Sequence, residues 1–195
     1  MVKLQYKKMP IEELIVLAQQ NDLKALEELI RREQKNVYAT FTYLSKKKEN
    51  VSDLTQEALL KLAKNINTLK NPKLFKSWLN QIITNLFYDE LRKTKRRGET
   101  VSLDDESENS PTIKLQIPDK KCKPVEKCIS NELEKIIQKA IQALPEQFRI
   151  VIILRELQGL SYEEIAEATH SSIGTVKSRI ARARGKLQED LKAYI

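Results

Sequence analysis

The sequence predicts an all-α protein made of two small helical domains joined by a flexible linker. Four glycines and six prolines in 195 residues leave little material for the repeated tight turns of a β-protein. Leu, Ile, Ala, Lys, Glu and Gln dominate instead, as helices prefer. Apolar residues recur at helical spacing on either side of one acidic, serine-containing stretch that has no period of its own.

The first two helices are expected over residues 10–20 and 22–47, where Leu14, Leu17, Leu26, Leu29, Ile30, Val37 and Phe41 keep helical spacing. A third begins at Ser52-Asp53. Asp53 can cap it, Gln56 stands three residues on, and Ala58, Leu59, Leu62 and Ala63 share one face. The pattern breaks from Asn65 to Pro72. Phe75, Trp78, Leu79, Ile82, Ile83 and Leu86 then follow the steps of an amphipathic helix without a miss, and Gly98 can end it. Residues 70–98 hold eight Lys or Arg against two acids.

Residues 99–128 read as the linker, because the composition shifts and the period is lost. Its first part, 99–119, carries six acids and one lysine. It serves as a solvated spacer or as a transient mask for a basic surface. The domains are therefore 1–98 and 129–195. In the second, Ile129, Leu133, Ile136, Ile137, Ala140, Ile141 and Leu144 run up to Pro145. Phe148, Val151, Ile152, Leu154 and Leu157 continue to Gly159. Ser161 and Glu164 then form a capping box for SYEEIAEATH, and a last helix spans about Ser172 to Lys192.

A formal charge of +8 and a pI near 9.3 favour a polyanionic partner, the alternative being solubility alone. No apolar run is long enough to span a bilayer, and MVKLQYKKMPIEE has no signal-peptide core, so a cytoplasmic protein without membrane insertion is expected. Cys122 and Cys128 are spaced unlike a zinc or redox motif; they are free thiols or a regulatory disulfide. No nucleophile–base pair, metal-ligand cluster or phosphate-cradling loop is legible, so no catalytic residue, metal or cofactor is expected.

The pair SYEEIAEA and IGTVKSRIARARGKL has the order of a helix-turn-helix. Val176, Ile180, Ala183 and Leu187 fall on one stripe of the second helix and face the core, with Ile165 and Ala166 opposite them. The outward face carries Ser172, Gly174, Thr175, Lys177, Ser178, Arg179, Arg182, Arg184 and Lys186. A merely solvated face mixes both signs, yet no acid occurs between Ala168 and Gln188. Arginines, hydroxyls and a small Gly174 suit the major groove of DNA. His170, the sole histidine, is a phosphate contact or a polar turn residue.

LPEQFRIVIILRELQGLSYEEIAEATHSSIGTVKSRIARARGKL resembles region 4 of bacterial sigma factors, most closely the extracytoplasmic-function (ECF) group, and is also similar to the DNA-binding domain of LuxR-type response regulators. The first half decides between them. DLTQEALLKLAKN resembles sigma region 2.2. FKSWLNQIITNLFYDELRKTKRR resembles regions 2.3 and 2.4, with Trp78, Asn85, Asp89 and Arg92 in the family's order. A response regulator would begin with an α/β phosphoacceptor domain. One departure is local: Thr169, His170 and Ser172 stand in the turn where the family usually has an apolar residue, Gly and Pro.

The resemblance implies a factor that binds core RNA polymerase and directs promoter-specific initiation. The helix from Asp53 would dock on the clamp of the largest catalytic subunit through Asp53, Gln56, Glu57 and Leu60, although Asp53 and Gln56 also have a capping role open to them. Region 4 would meet the flap. Lys70, Lys73, Lys76, Asn80, Thr84, Asn85, Tyr88, Arg92, Lys93 and Arg96 would hold the −10 strand, whose phosphates need cations and whose unstacked bases need flat or hydrogen-bonding groups. Phe75 and Trp78 are core residues or base stackers. The −35 element would fall to Ser172, Thr175, Lys177, Ser178, Arg179, Arg182, Arg184 and Lys186. Elements two duplex turns apart lie roughly 70 Å from one another, and some 30 linker residues extend to about 100 Å. An anti-sigma factor is a further implied partner. The rivals are a dimeric stand-alone DNA-binding regulator and, more remotely, an enzyme.

Overall fold

The structure, a computed structural model, describes residues 6–96 and 124–194; the side chains of 124–131 and of residue 193 lie outside the description. Most of the expected linker, Cys122 and Gly98 therefore fall outside the described residues, as does the Cys128 side chain. All regular structure among the described residues is helical.

The first lobe contains α1 (Ile11–Gln19), α2 (Leu23–Leu44), α3 (Glu49–Asn65) and α4 (Phe75–Arg96). Asp22 starts α2: its carboxylate accepts from the Lys24 and Ala25 amides at 2.9 and 3.1 Å, and from the Tyr6 hydroxyl at 2.8 Å. The predicted stripes close the core. Leu14, Leu29, Val37, Phe41, Ala58, Leu62, Leu79 and Ile83 are essentially without solvent contact. The expected break is filled by two short 3₁₀ turns, Ile66–Thr68 and Pro72–Leu74. Gln19 holds this stretch against α1, its amide donating to the Ile66 and Leu69 carbonyls at 2.9 and 2.7 Å.

One start is displaced. α3 begins at Glu49 rather than at Ser52-Asp53, because Lys48 already has right-handed helical backbone angles. Asp53 is consequently an exposed interior residue of the helix and caps nothing.

The second lobe contains α5 (Pro124–Ala143), α6 (Glu146–Ile152), α7 (Tyr162–Ala168) and α8 (Ile173–Leu191). α5 starts five residues inside the predicted linker, with Pro124 at its first position, where a missing amide hydrogen costs nothing. Pro145 separates α5 from α6. After Ile152 the helix widens into a π-turn over Ile153–Leu157, and Gly159 reverses the chain in the left-handed region at φ 64°. The Ser161–Glu164 capping box forms as read, with bonds of 3.1 and 2.7 Å.

The lobes are joined in one connected cluster of buried apolar residues. One set of polar bonds between them meets the C-terminus of α2, whose last carbonyls have no partner within their own helix. Gln142 donates to the Thr42 and Ser45 carbonyls, both at 3.0 Å, and Arg149 donates to Leu44 at 2.6 Å and to Leu144 at 3.1 Å. Arg149 is buried, no carboxylate among the described residues is bonded to it, and burial lowers its pKa, with Glu146 opposing. Its charge is supported by two helix C-termini at once.

Glu28 fastens the N-terminal segment. It binds Arg31 at 2.6 Å and Arg32 at 2.9 Å, and Arg32 passes on to the Met9 and Tyr6 carbonyls at 2.8 and 2.6 Å. The Arg31 bond, with help from Arg32, lowers the Glu28 pKa from 4.5 to about 2. A depressed carboxylate stabilises the fold above its unfolded value and loses that contribution as pH falls through the folded one. Stability should thus decline between pH 4.5 and about 2. Glu28→Gln should flatten this part of the acid-unfolding curve followed by circular dichroism; an unaltered curve would dismiss the linkage.

Candidate nucleic-acid interface

α7 and α8 form the helix-turn-helix that the sequence spells. Val176, Ile180 and Ala183 are buried with Ile165 and Ala166, and Leu187 is half-buried. The turn is tied internally: the Thr169 hydroxyl donates to the Ile165 carbonyl at 2.7 Å and lies 2.6 Å from the Ser171 hydroxyl, while His170 takes a left-handed φ of 50° and stays exposed. Ser172 then caps α8 through the Thr175 amide at 3.1 Å. Thr169 and Ser172, two of the three residues by which this turn departs from the family pattern, therefore hold it through side-chain hydrogen bonds.

The outward residues of α8 are not equally available. Arg182 and Lys186 are exposed and bonded to nothing in the described residues. Lys177 is exposed with its ammonium 5.8 Å from the Tyr162 ring centre, where Arg155 also sits at 4.8 Å. Thr175 is bonded to Ser172 at 2.9 Å, and Ser178 turns back to the Thr175 carbonyl at 3.0 Å. Arg184 is held by Glu156 at 2.6 Å and Arg179 is half-buried. The Glu156 partnership spans 28 residues, and no sequence period reveals it.

α4 presents its own set. Lys70, Lys73, Lys76, Asn85, Arg92, Lys93 and Arg96 are exposed, although Arg92 is paired with Asp89. Phe75 is buried; Trp78 is half-buried against it with ring centres 6.1 Å apart. Asn71 shapes the loop before α4 by accepting from the Lys73 amide at 3.0 Å. Asn80 and Thr84 are not at the surface: they are 1% and 0% exposed, inside the molecule where α4 meets the second lobe. Tyr88 is half-buried there, and that burial raises its pKa against the charge of Arg179.

On α3, Asp53, Gln56, Glu57 and Leu60 share one exposed face by helical spacing. Leu60 is 58% exposed there, and Glu57 pairs with Lys61 at 3.4 Å. The sequence reading missed Asn36, Gln158 and Arg149, three polar residues that bridge the lobes. Each looks in isolation like an ordinary helix residue.

Residues 29–97 match the family model described as Sigma-70 region 2, and residues 134–187 match Sigma-70, region 4. The chain is 33% identical over 180 residues to the ECF RNA polymerase sigma-E factor of Haemophilus influenzae, covering 92% of this chain and 94% of that one. It is 34% identical over 185 residues to the ECF RNA polymerase sigma-E factor of Escherichia coli, covering 93% and 94%. Among solved structures it is similar to the sigma factor RpoE of Bartonella quintana, crystallised with the anti-sigma factor NepR. That likeness has a TM-score of 0.65 and 28% identity, covering 87% of this chain and 98% of the other. CnrH, in complex with the cytosolic domain of CnrY, shares the fold at a TM-score of 0.64 and 21% identity, covering 94% and 97%.

The Ser172 cap satisfies an amide that α8 otherwise leaves free. Ser172→Ala should destabilise the folded chain by about 1 kcal/mol in urea titration; no change would mean that water replaces the cap without loss.

Proposed function

This chain belongs to the extracytoplasmic-function family of RNA polymerase sigma factors, and from that premise we propose which of its surfaces meets each component of the initiation complex. As a member it directs promoter-specific transcription initiation by RNA polymerase and is not an enzyme. The stand-alone dimeric regulator and the enzyme fall away as readings.

α8 enters the major groove of the −35 element. The observation that carries this assignment is an outward face without an acid from Thr169 to Leu187, on which Arg182 is exposed and unbonded while its neighbours Val176, Ile180 and Ala183 are fixed in the core. Arg182 is the residue free to read a guanine edge bidentately, and Lys177 and Lys186 are placed for phosphates. Arg184 exchanges Glu156 for a phosphate. Ser172 acts chiefly as the cap that aims the helix, with Thr175, Ser178 and Arg179 in closer support.

α4 and the loop before it take the −10 strand. Lys70, Lys73 and Lys76 surround the loop at 65–76, and Asn85, Arg92, Lys93 and Arg96 continue along the helix, so phosphates of a strand leaving the duplex meet cations throughout. Asn80, Thr84 and Tyr88 belong to this set when α4 is uncovered. The exposed face of α3, with Leu60 projecting beside Asp53, Gln56 and Glu57, docks on the clamp of the largest polymerase subunit, and the second lobe meets the flap. An anti-sigma factor is a partner of the kind seen with the similar RpoE. No helix among the described residues is long and apolar enough to cross a membrane, and the site of action is the cytoplasm, where polymerase and promoter are.

Two measurements separate these assignments. Arg182→Ala should lower run-off transcription about 5- to 150-fold on promoters that depend on the −35 base it reads. Equal loss on all templates would reduce Arg182 to a phosphate contact. Asp53→Ala with Gln56→Ala should weaken binding to core polymerase roughly tenfold in a fluorescence titration. Because both side chains are exposed, the melting curve should not move. Unchanged affinity would remove α3 from the docking surface.

A further inference from the structure

A cavity of about 240 Å³ lies where the end of α2, the start of α3, the end of α4 and α6 meet. Leu44, Phe87 and Leu91 give it an apolar floor; Leu44 and Phe87 are buried and Leu91 half-buried. The remaining lining is charged. Lys46, Lys47, Lys95 and Arg149 stand against the two carboxylates Glu90 and Glu146, and Lys46 and Lys95 are exposed at the edge.

Arg149 gives this cavity its chemistry. The residue is 1% exposed, its two terminal nitrogens donate to the Leu44 and Leu144 carbonyls, and its Nε has no hydrogen-bond partner among the described residues. A guanidinium remains charged when buried, so one N–H of a desolvated cation is left unmatched. An anion in the cavity meets that N–H with a charge-assisted bond.

The acceptors already present are engaged elsewhere. The Ser45 carbonyl accepts from Gln142 at 3.0 Å, and Glu90 Oε1 accepts from Asn50 Nδ2 at 2.6 Å. Glu146 opposes the effect of burial on Arg149, so part of the cation's charge is balanced. With two acids in the wall, a single negative charge fits better than the two of a phosphate monoester.

Volume limits the rest of the ligand. A cavity of about 150 Å³ takes a benzene ring, and sites for drug-sized molecules begin near about 300 Å³. One ring or one short branched chain, carrying an acidic group, lies between these limits.

We propose that this cavity binds a small monocarboxylate with an aromatic or branched aliphatic body. The body rests on Leu44, Phe87 and Leu91, the carboxylate accepts from Arg149 Nε, and Lys46 and Lys95 flank the mouth. Because α2, α3 and α4 belong to one lobe and α6 to the other, the ligand touches both, and its binding is linked to their contact. The site does not depend on which promoter element either lobe reads.

Ligand-observed NMR titration of the full-length chain tests the proposal with sodium benzoate as the probe. One-to-one saturation is expected with a roughly millimolar or tighter Kd. Benzyl alcohol keeps the ring without the charge, and inorganic phosphate, followed in phosphorus spectra, keeps charge without the body. Each should bind about tenfold more weakly or worse. Absence of saturation by benzoate, or equal affinity for either control, would overturn the site.

Arg149 also holds the end of α2, so its replacement endangers the fold; two other variants avoid this. Thr94→Trp fills the cavity from the wall that α4 supplies and should reduce benzoate affinity about tenfold or more, the unliganded chain melting no lower than wild type. Lys46→Glu, at the exposed edge, should weaken benzoate roughly threefold and leave the melting curve in place. Wild-type affinity in either variant would put the anion elsewhere on this basic chain and sink the proposal.

Discussion

A helix must dispose of its last carbonyls, and in this molecule the end of α2 disposes of them into the other lobe. Thr42, Leu44 and Ser45 are met by Gln142 and Arg149, which arrive from about a hundred residues further along the chain. The same guanidinium satisfies Leu144 just after α5. Two helix C-termini with partial negative charge therefore converge on one buried cation. This arrangement fixes where α6 begins and orients the π-turn that follows it. The π-turn in turn delivers Gln158 to α2 and α4. Every later feature of the second lobe is built out from that anchored end.

The individual helices were legible because each needs only local information. The α4 stripe of Phe75, Leu79, Ile83 and Leu86 is buried as its spacing requires, and the Ser161–Glu164 box closes because both halves lie within one turn. The core of α8 follows for the same reason. What was not legible depended on a distant group or on the backbone acting without a side chain. α3 extends back to Glu49 through the helical backbone of Lys48, which deprives Asp53 of its capping role. Asn80 and Thr84 have the polarity of surface residues, yet they are covered by a lobe that begins about 40 residues later. Arg184 has the composition of a groove residue, and only the fold shows Glu156 already holding it.

The candidate site is consequently divided by how each residue is held. Arg182 and Lys186 are free on a helix whose opposite stripe is locked, so they present charge at a fixed angle at little conformational cost. Arg184 and Arg92 are paired with acids at exposed positions, where water and salt weaken the bond and a phosphate can compete for the cation. Asn80 and Thr84 are sequestered with oxygens unpaired. A composition of arginines and asparagines does not distinguish these three conditions; packing does.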